Sequence, residues 1–252
     1  MDIAINGARI YWTLPIFGGI PITSSMVNAW VIMAIITGLS IWLTRGLKVE
    51  NIGKRQVVAE LLVTTCQNFV EGNMGKRYAH FAPFIGALFS LSAMCSLSSL
   101  VGAFPATSDL STELSWAVLV FVMITYTKIK TNGIGGYLKG FTTPIPVFTP
   151  FNIISELATP ISMAFRHFGN IVSGSVISTL LYAALAVLSN TVFGLLPGFL
   201  GDLLSQIPLF QLGIPAILSI YFDLFGSFMQ AFIFCMLTML YIANAAESDD
   251  NE

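Results

Sequence analysis

Charge is scarce in this chain. Asp, Glu, Lys and Arg fill 10% of its 252 positions, where a soluble domain carries about 25%. A soluble enzyme, a disordered tail and a nucleic-acid binder all need more charge than that, so all three are excluded. Cysteine is scarce as well: Cys66, Cys95 and Cys235 are odd in number, far apart and form no CxxC. That excludes a disulfide framework and a thiolate metal site and leaves three small apolar fillers. No GxxxxGK[ST] run occurs, so no nucleotide site is expected. Residues 1–22 hold Asp2, Arg9, Pro15 and Pro21 with no basic stretch ahead of an apolar core. They read as an ordered external segment and not as a cleavable leader. What abounds is apolar: 55% hydrophobic residues, with 20 Phe, 10 Met and 21 Gly, and a mean hydropathy of +0.81. This is the composition of an all-α, polytopic membrane protein.

A helix crossing the hydrocarbon core needs about 20 apolar residues. Five such runs are expected, at roughly 24–44, 81–104, 113–126 with extensions at both ends, 155–188 and 212–244. The stretch 51–73 differs. Val57, Val58, Leu61, Leu62, Thr65, Phe69 and Val70 share one face and Glu60, Gln67, Asn68 and Glu71 lie mostly on the other, the pattern of an amphipathic interfacial helix. One membrane domain over 1–252 is expected, closed by a hairpin at 155–246. Its two helices of about 33 residues would reach about 50 Å against a core about 30 Å thick, so they must tilt, kink or protrude.

Basic residues set a direction. Arg45, Lys48, Lys54, Arg55, Lys76 and Arg77 follow the first span, Lys128, Lys130 and Lys139 follow the third, and the loops at 105–112 and 189–211 contain neither Lys nor Arg. The positive-inside rule then places the N-terminus outside and the C-terminus in the cytoplasm.

The remaining charges are out of place. Arg166 lies inside the fourth span, where insertion costs about 2.5–3.5 kcal/mol and the guanidinium stays protonated. It reads as a fixed electrostatic gate, with a structural arginine that snorkels or meets a carbonyl as the alternative. Asn170 and Ser173 follow it at i+4 and i+7, and Asp223, Ser227 and Gln230 repeat that spacing in the fifth span. Two such stripes suggest a hydrated path. The alternatives are a salt bridge from Asp223 to Arg166 and ordinary interhelical hydrogen bonds from Asn170 and Gln230. Glu156 reads as an ion-path acid or as a first-turn partner of the helix dipole. His167, turned about 100° from Arg166, reads as a local packing group or as a titrating neighbour. Asp109 and Glu113 read as solvated acids near the outer surface, and His80 as an interfacial residue.

Three runs carry a family resemblance. Asn152-Ile-Ile-Ser-Glu-Leu-Ala-Thr-Pro-Ile-Ser-Met-Ala-Phe-Arg-His-Phe-Gly-Asn170 resembles the arginine signature of subunit a of F-type ATP synthases. Gln230-Ala-Phe-Ile-Phe-Cys-Met-Leu-Thr-Met-Leu-Tyr-Ile is similar to that family's C-terminal motif, and Gly102-Ala-Phe-Pro105 with Asp109 to its exit from a membrane helix. The resemblance implies the stator of a rotary ion motor, with no cofactor and H⁺ or Na⁺ as its cargo. Its implied partners are a ring of c subunits, the subunit b stalk, the other ATP synthase subunits and the bilayer of a bacterial plasma membrane. It implies Arg166 as the coupling charge and Asp223, Gln230, Asn170, Ser227, Ser173, Ser175, Glu156 and His167 as candidates along two ion half-channels. Three positions depart from the family pattern. His167 stands where Leu is usual, Ser175 where many bacterial members have Glu, and Asp223 where others have His or Glu. An acid gained at 223 offsets one lost at 175. A different function class, a secondary transporter binding an anion at Arg166, would favour internal repeats and broken helices, and no convincing repeat is found. A passive scaffold leaves both polar stripes without a purpose.

Overall fold

The computed structural model describes residues 8–15, 19–49, 53–143, 145–194 and 220–246. An antiparallel ribbon comes first, β1 (Ile10–Leu14) against β2 (Ile20–Thr23), with Trp12 opposite Ile22. The sequence reading had only an ordered segment here. The β-branched and aromatic residues of both strands favour extended backbone, and Gly19 supplies a positive φ of 96° at the entry to the second.

Six helices follow. α1 (Ser24–Thr44) has only Ser25 and Ile32 buried, so nearly its whole surface is left for lipid or a partner. α2 (Lys54–Met74) is the amphipathic helix. α3 (Ala82–Leu97) is flanked by 3₁₀ turns at Lys76–Phe81 and Ser98–Val101, and Gly102, at φ 77°, closes it in the left-handed conformation that favours glycine. α4 (Leu110–Gly140) starts at Asp109, whose Oδ1 accepts from the Ser111 N–H at 3.0 Å, an N-cap. Gly133, with φ 71° and ψ 168°, breaks it near its far end, leaving about 23 residues, or about 34 Å, before the break. α5 (Thr149–Gly194) runs for 46 residues, about 69 Å, longer at both ends than the hydropathy run. α6 (Gly226–Ala246) follows a π-helical segment at Ile220–Phe225. The part of the fifth expected span at 212–219 lies outside the described residues. Among the described residues five helical stretches, all but α2, are long and apolar enough to cross a membrane. The molecule is an all-α, multi-pass membrane protein.

Cross-links between helices give their directions. At the start of α1, Ser25 Oγ donates to Asp109 Oδ2 at 2.7 Å, and Asn28 Nδ2 donates to Ser98 Oγ and to the Phe104 carbonyl at 2.7 and 2.9 Å. The N-termini of α1 and α4 therefore share one end with the C-terminus of α3. At the other end, the Arg55 guanidinium donates to the Arg45 carbonyl, and Lys128 of α4 pairs with Glu156 of α5. The nine basic residues of the two clusters lie at this second end. α2 starts there and returns there to feed α3, so it lies across the basic end. The core sits among α3, α4, α5 and α6, where Ile85, Val120, Phe234, Met239 and Ile242 are buried. Ala117, Ala164 and Ala231 are fully buried, and their small side chains let backbones approach closely where lipid offers no hydrophobic drive.

Candidate functional site

α5 and α6 border a cavity of about 750 Å³ at the end opposite the basic clusters. Asn170, Ser173 and Ser175 line it from α5, Ser227 and Gln230 from α6, and Ser96 from α3. The helical spacing put Asn170 and Ser173 on one stripe and Ser227 and Gln230 on another, and here both pairs reach one space, which Ser175, named only by the family resemblance, also lines. Ser227 and Gln230 are buried on the α6 side, while Asn170, Ser173 and Ser175 are exposed on α5. Ser175 turns its hydroxyl onto the Val172 carbonyl at 2.9 Å.

Asp223 is described in its backbone only. Its backbone lies in the π segment, whose wider turn takes one more residue than an α-turn, so the α-helical spacing that set it over Ser227 does not apply. Its side chain lies outside the described residues. Its neighbours Tyr221 and Phe225 line the cavity, their rings stacked at 5.5 Å.

A second cavity, of about 290 Å³, opens at the basic end between α4, α5 and α6, lined by Lys128, Glu156, Thr159, Tyr241 and Asn244 among others. Glu156 is not in a first turn, because α5 starts at Thr149. Lys128 Nζ donates to both of its carboxylate oxygens at 2.8 and 2.7 Å. Pro160 has no N–H to offer the Glu156 carbonyl one turn earlier, which frees a backbone acceptor beside this cavity.

Arg166 lies between the two cavities along α5, about 15 Å from Glu156 and about 6 Å from Asn170. It is exposed, in a stretch where Ile161 and Phe165 are exposed too. Among the described residues no side chain or carbonyl pairs with it, so neither a salt bridge nor a carbonyl contact within those residues holds it.

His167 turns the other way and is 0% exposed. Its Nδ1 lies 3.0 Å from Glu113 Oε2, close enough for an ion pair but without hydrogen-bond alignment, since neither atom has a hydrogen-bond partner. Its Nε2 lies 3.4 Å from Ser92 Oγ. Glu113, expected in solvent, is also 0% exposed. The reason is that α4 begins at Leu110, which sets Glu113 in its first turn facing α5, not in the loop. Asp109 is tied to Ser25 and to its own helix. Sequence reasoning missed Glu113, Lys128 and Ser92 as members of polar clusters. A charge inside an apolar run was the available signal for the first two, but their partners lie on other helices.

The chain matches the family model described as ATP synthase A chain over residues 26–243. It is 33% identical to "ATP synthase subunit a 1" of Crocosphaera subtropica, covering 97% of this chain and 94% of that protein. It is 31% identical to "ATP synthase subunit a" of Moorella thermoacetica, covering 90% and 92%, and 30% identical to "ATP synthase subunit a 1" of Chlorobium luteolum, covering 92% and 93%. The matched stretch runs from the start of α1 almost to the end of α6 and so takes in Arg166, the whole lining of the larger cavity and most of that of the smaller: the chain belongs to the ATP synthase A chain family.

Proposed function

We propose that this chain is the stationary, non-catalytic ion-conducting subunit in the membrane sector of an F-type ATP synthase, seated in a bacterial plasma membrane with its N-terminus outside. The observation that carries the reading is Arg166. A permanent cation on the outer surface of a membrane helix, without an anion among the described residues of its own chain, cannot rest against lipid. It calls for a carboxylate on another chain, and a rotating ring of c subunits with one buried acid each would bring a succession of them.

In this reading the larger cavity is the outer half-channel and the smaller one the inner. Asn170, Ser173, Ser175, Ser227 and Gln230 solvate an ion on its way in, with Asp223 as the acid near the entrance. Glu156, held by Lys128, serves the other side. Arg166 separates the two paths: it displaces the ion from each arriving carboxylate and repels any cation that would leak straight through. A potential of 100 mV supplies about 2.3 kcal/mol per transferred charge. Each ion therefore enters from one side, rides the ring and leaves from the other. The ion is H⁺ or Na⁺, no cofactor takes part, and the subunit b stalk holds the chain against the torque.

The test is Arg166→Ala in the complete ATP synthase reconstituted into vesicles. The complex is expected to assemble with normal composition and to lose ion-driven ATP synthesis by more than a hundredfold. Wild-type coupling in that variant refutes the reading.

A further inference from the structure

We propose that the buried Glu113–His167 pair is a positioning device for Arg166, pinning the turn of α5 that carries the arginine so that its guanidinium faces outward at a fixed height. The inference rests on the reading of Arg166 as the working cation.

His167 is the next residue in the chain, about 100° around the helix. One turn thus has two jobs: Arg166 is presented outward while His167 is fully buried. Met163 and Ala164 complete the buried side of the same turn. The imidazole touches three other helices. Ser92 of α3 lies 3.4 Å from Nε2, Glu113 of α4 lies 3.0 Å from Nδ1, and the Phe234 ring of α6 lies 5.5 Å away, centroid to centroid. No other residue in that turn has polar contacts to neighbouring helices among the described residues.

The pair is costly for packing alone. Glu113 Oε1 has no hydrogen-bond partner, and apolar side chains of similar volume commonly replace a buried ion pair without loss of stability. What apolar side chains lack is a unique partner. A carboxylate and an imidazole at 3.0 Å define one rotation and one height of α5 against α4, and sliding by a residue would strand a buried charge. A rotation of α5 by one residue would swing Arg166 by about 100°, off the face where it meets its partner. Neither residue lines either cavity, so the pair acts through Arg166 and not on the ion.

The test measures ATP-driven ion uptake per assembled complex in vesicles. His167→Leu, which leaves Glu113 buried and alone, is expected to lower uptake at least tenfold. Glu113→Ala, which removes the clamp without stranding a charge, is expected to lower it at least fivefold and keeps the test open should His167→Leu fail to assemble. The swapped variant Glu113→His/His167→Glu, which restores the contact between the two helices, is expected to recover to within threefold of wild type, because the same two groups seat the turn again. Wild-type uptake in either single variant overturns the proposal. So does a swapped variant as poor as the single ones, which would make His167 an ion carrier in its own right. Arg166→Ala run alongside separates the two levels: activity retained there fails the functional reading, whereas loss there with full activity in Glu113→Ala fails only the positioning role.

Discussion

Arg166 and Lys128 are two cations on apolar helices, and the fold treats them in opposite ways. Lys128 is given both oxygens of Glu156 at 2.7–2.8 Å, so its charge is neutralised within the chain. Arg166 is given nothing by the described residues and faces outward. Replacing it by lysine keeps the charge but loses the planar fork and shortens the reach; Arg166→Lys is expected to assemble normally and to retain under a tenth of the coupled ATP synthesis. Glu156→Gln strands Lys128 beside the smaller cavity and places a cation in the proposed inner path. A several-fold fall in ion flux per assembled complex is expected, with recovery in the double variant Lys128→Gln/Glu156→Gln, measured by ATP-driven uptake. For Asp223, flanked by the cavity-lining Tyr221 and Phe225, Asp223→Asn keeps the shape and removes the charge. Flux per assembled complex is expected to fall about tenfold while Asp223→Glu keeps part of it; unchanged flux in the asparagine variant would end its assignment to the ion path.

Among the helices, α2 meets α3 at one close approach. Cys66 Sγ donates to the Ala82 carbonyl at 3.1 Å, and a Cβ added at Gly86 would lie 3.0 Å from that sulfur. Gly86→Ala thus overpacks the α2–α3 contact, a change that costs about 1–3 kcal/mol, and Cys66→Ala is expected to relieve it. Thermal midpoints of the detergent-solubilised complex for both single variants and the pair read this directly. Burial of Cys66 also pushes its thiol pKa up. Since the thiolate is the reactive form, a raised pKa means less thiolate at any given pH. Alkylation of Cys66 at pH 8 is expected to lag behind that of a solvent-exposed cysteine introduced at Lys130, and its rate should still climb above about pH 8.5, where an ordinary thiol reaches half-ionisation. Equal rates at both pH values would contradict the seating of α2 against α3.

For the whole molecule, the alternation of helix directions gathers nine basic residues at one end and leaves the larger cavity at the other. With the basic end in the cytoplasm, a single cysteine at Lys130, in a chain freed of its own three, is expected to react with an impermeant maleimide only in inverted vesicles. One at Ser111, exposed at the opposite end, is expected to react only in right-side-out vesicles. The reversed pattern would invert the proposed membrane orientation and exchange the outer and inner assignments of the two cavities.

The spans, the amphipathic α2 and the basic end were legible in the chain because hydropathy and charge act locally: about 20 apolar residues need no partner to be driven into lipid, and a lysine's side of the membrane depends on its own flanks. The polar stripes of Asn170, Ser173, Ser227 and Gln230 were legible for the same reason, since helical spacing alone puts each on one face. Residue spacing could not say that both stripes would open into one cavity, or that the backbone at Asp223 would be π-helical. Nor could it pair Glu113 with His167 or Lys128 with Glu156. Those matches join residues on different helices, and their geometry exists only once α3, α4, α5 and α6 have packed. Burial changes what a charged residue is: the same carboxylate that is a solvated acid in a loop becomes, inside the bundle, a group that must find a partner. Local chemistry therefore put these helices in the membrane, while packing between them selected which of their charges are matched and which, Arg166 above all, are left exposed without a partner among the described residues.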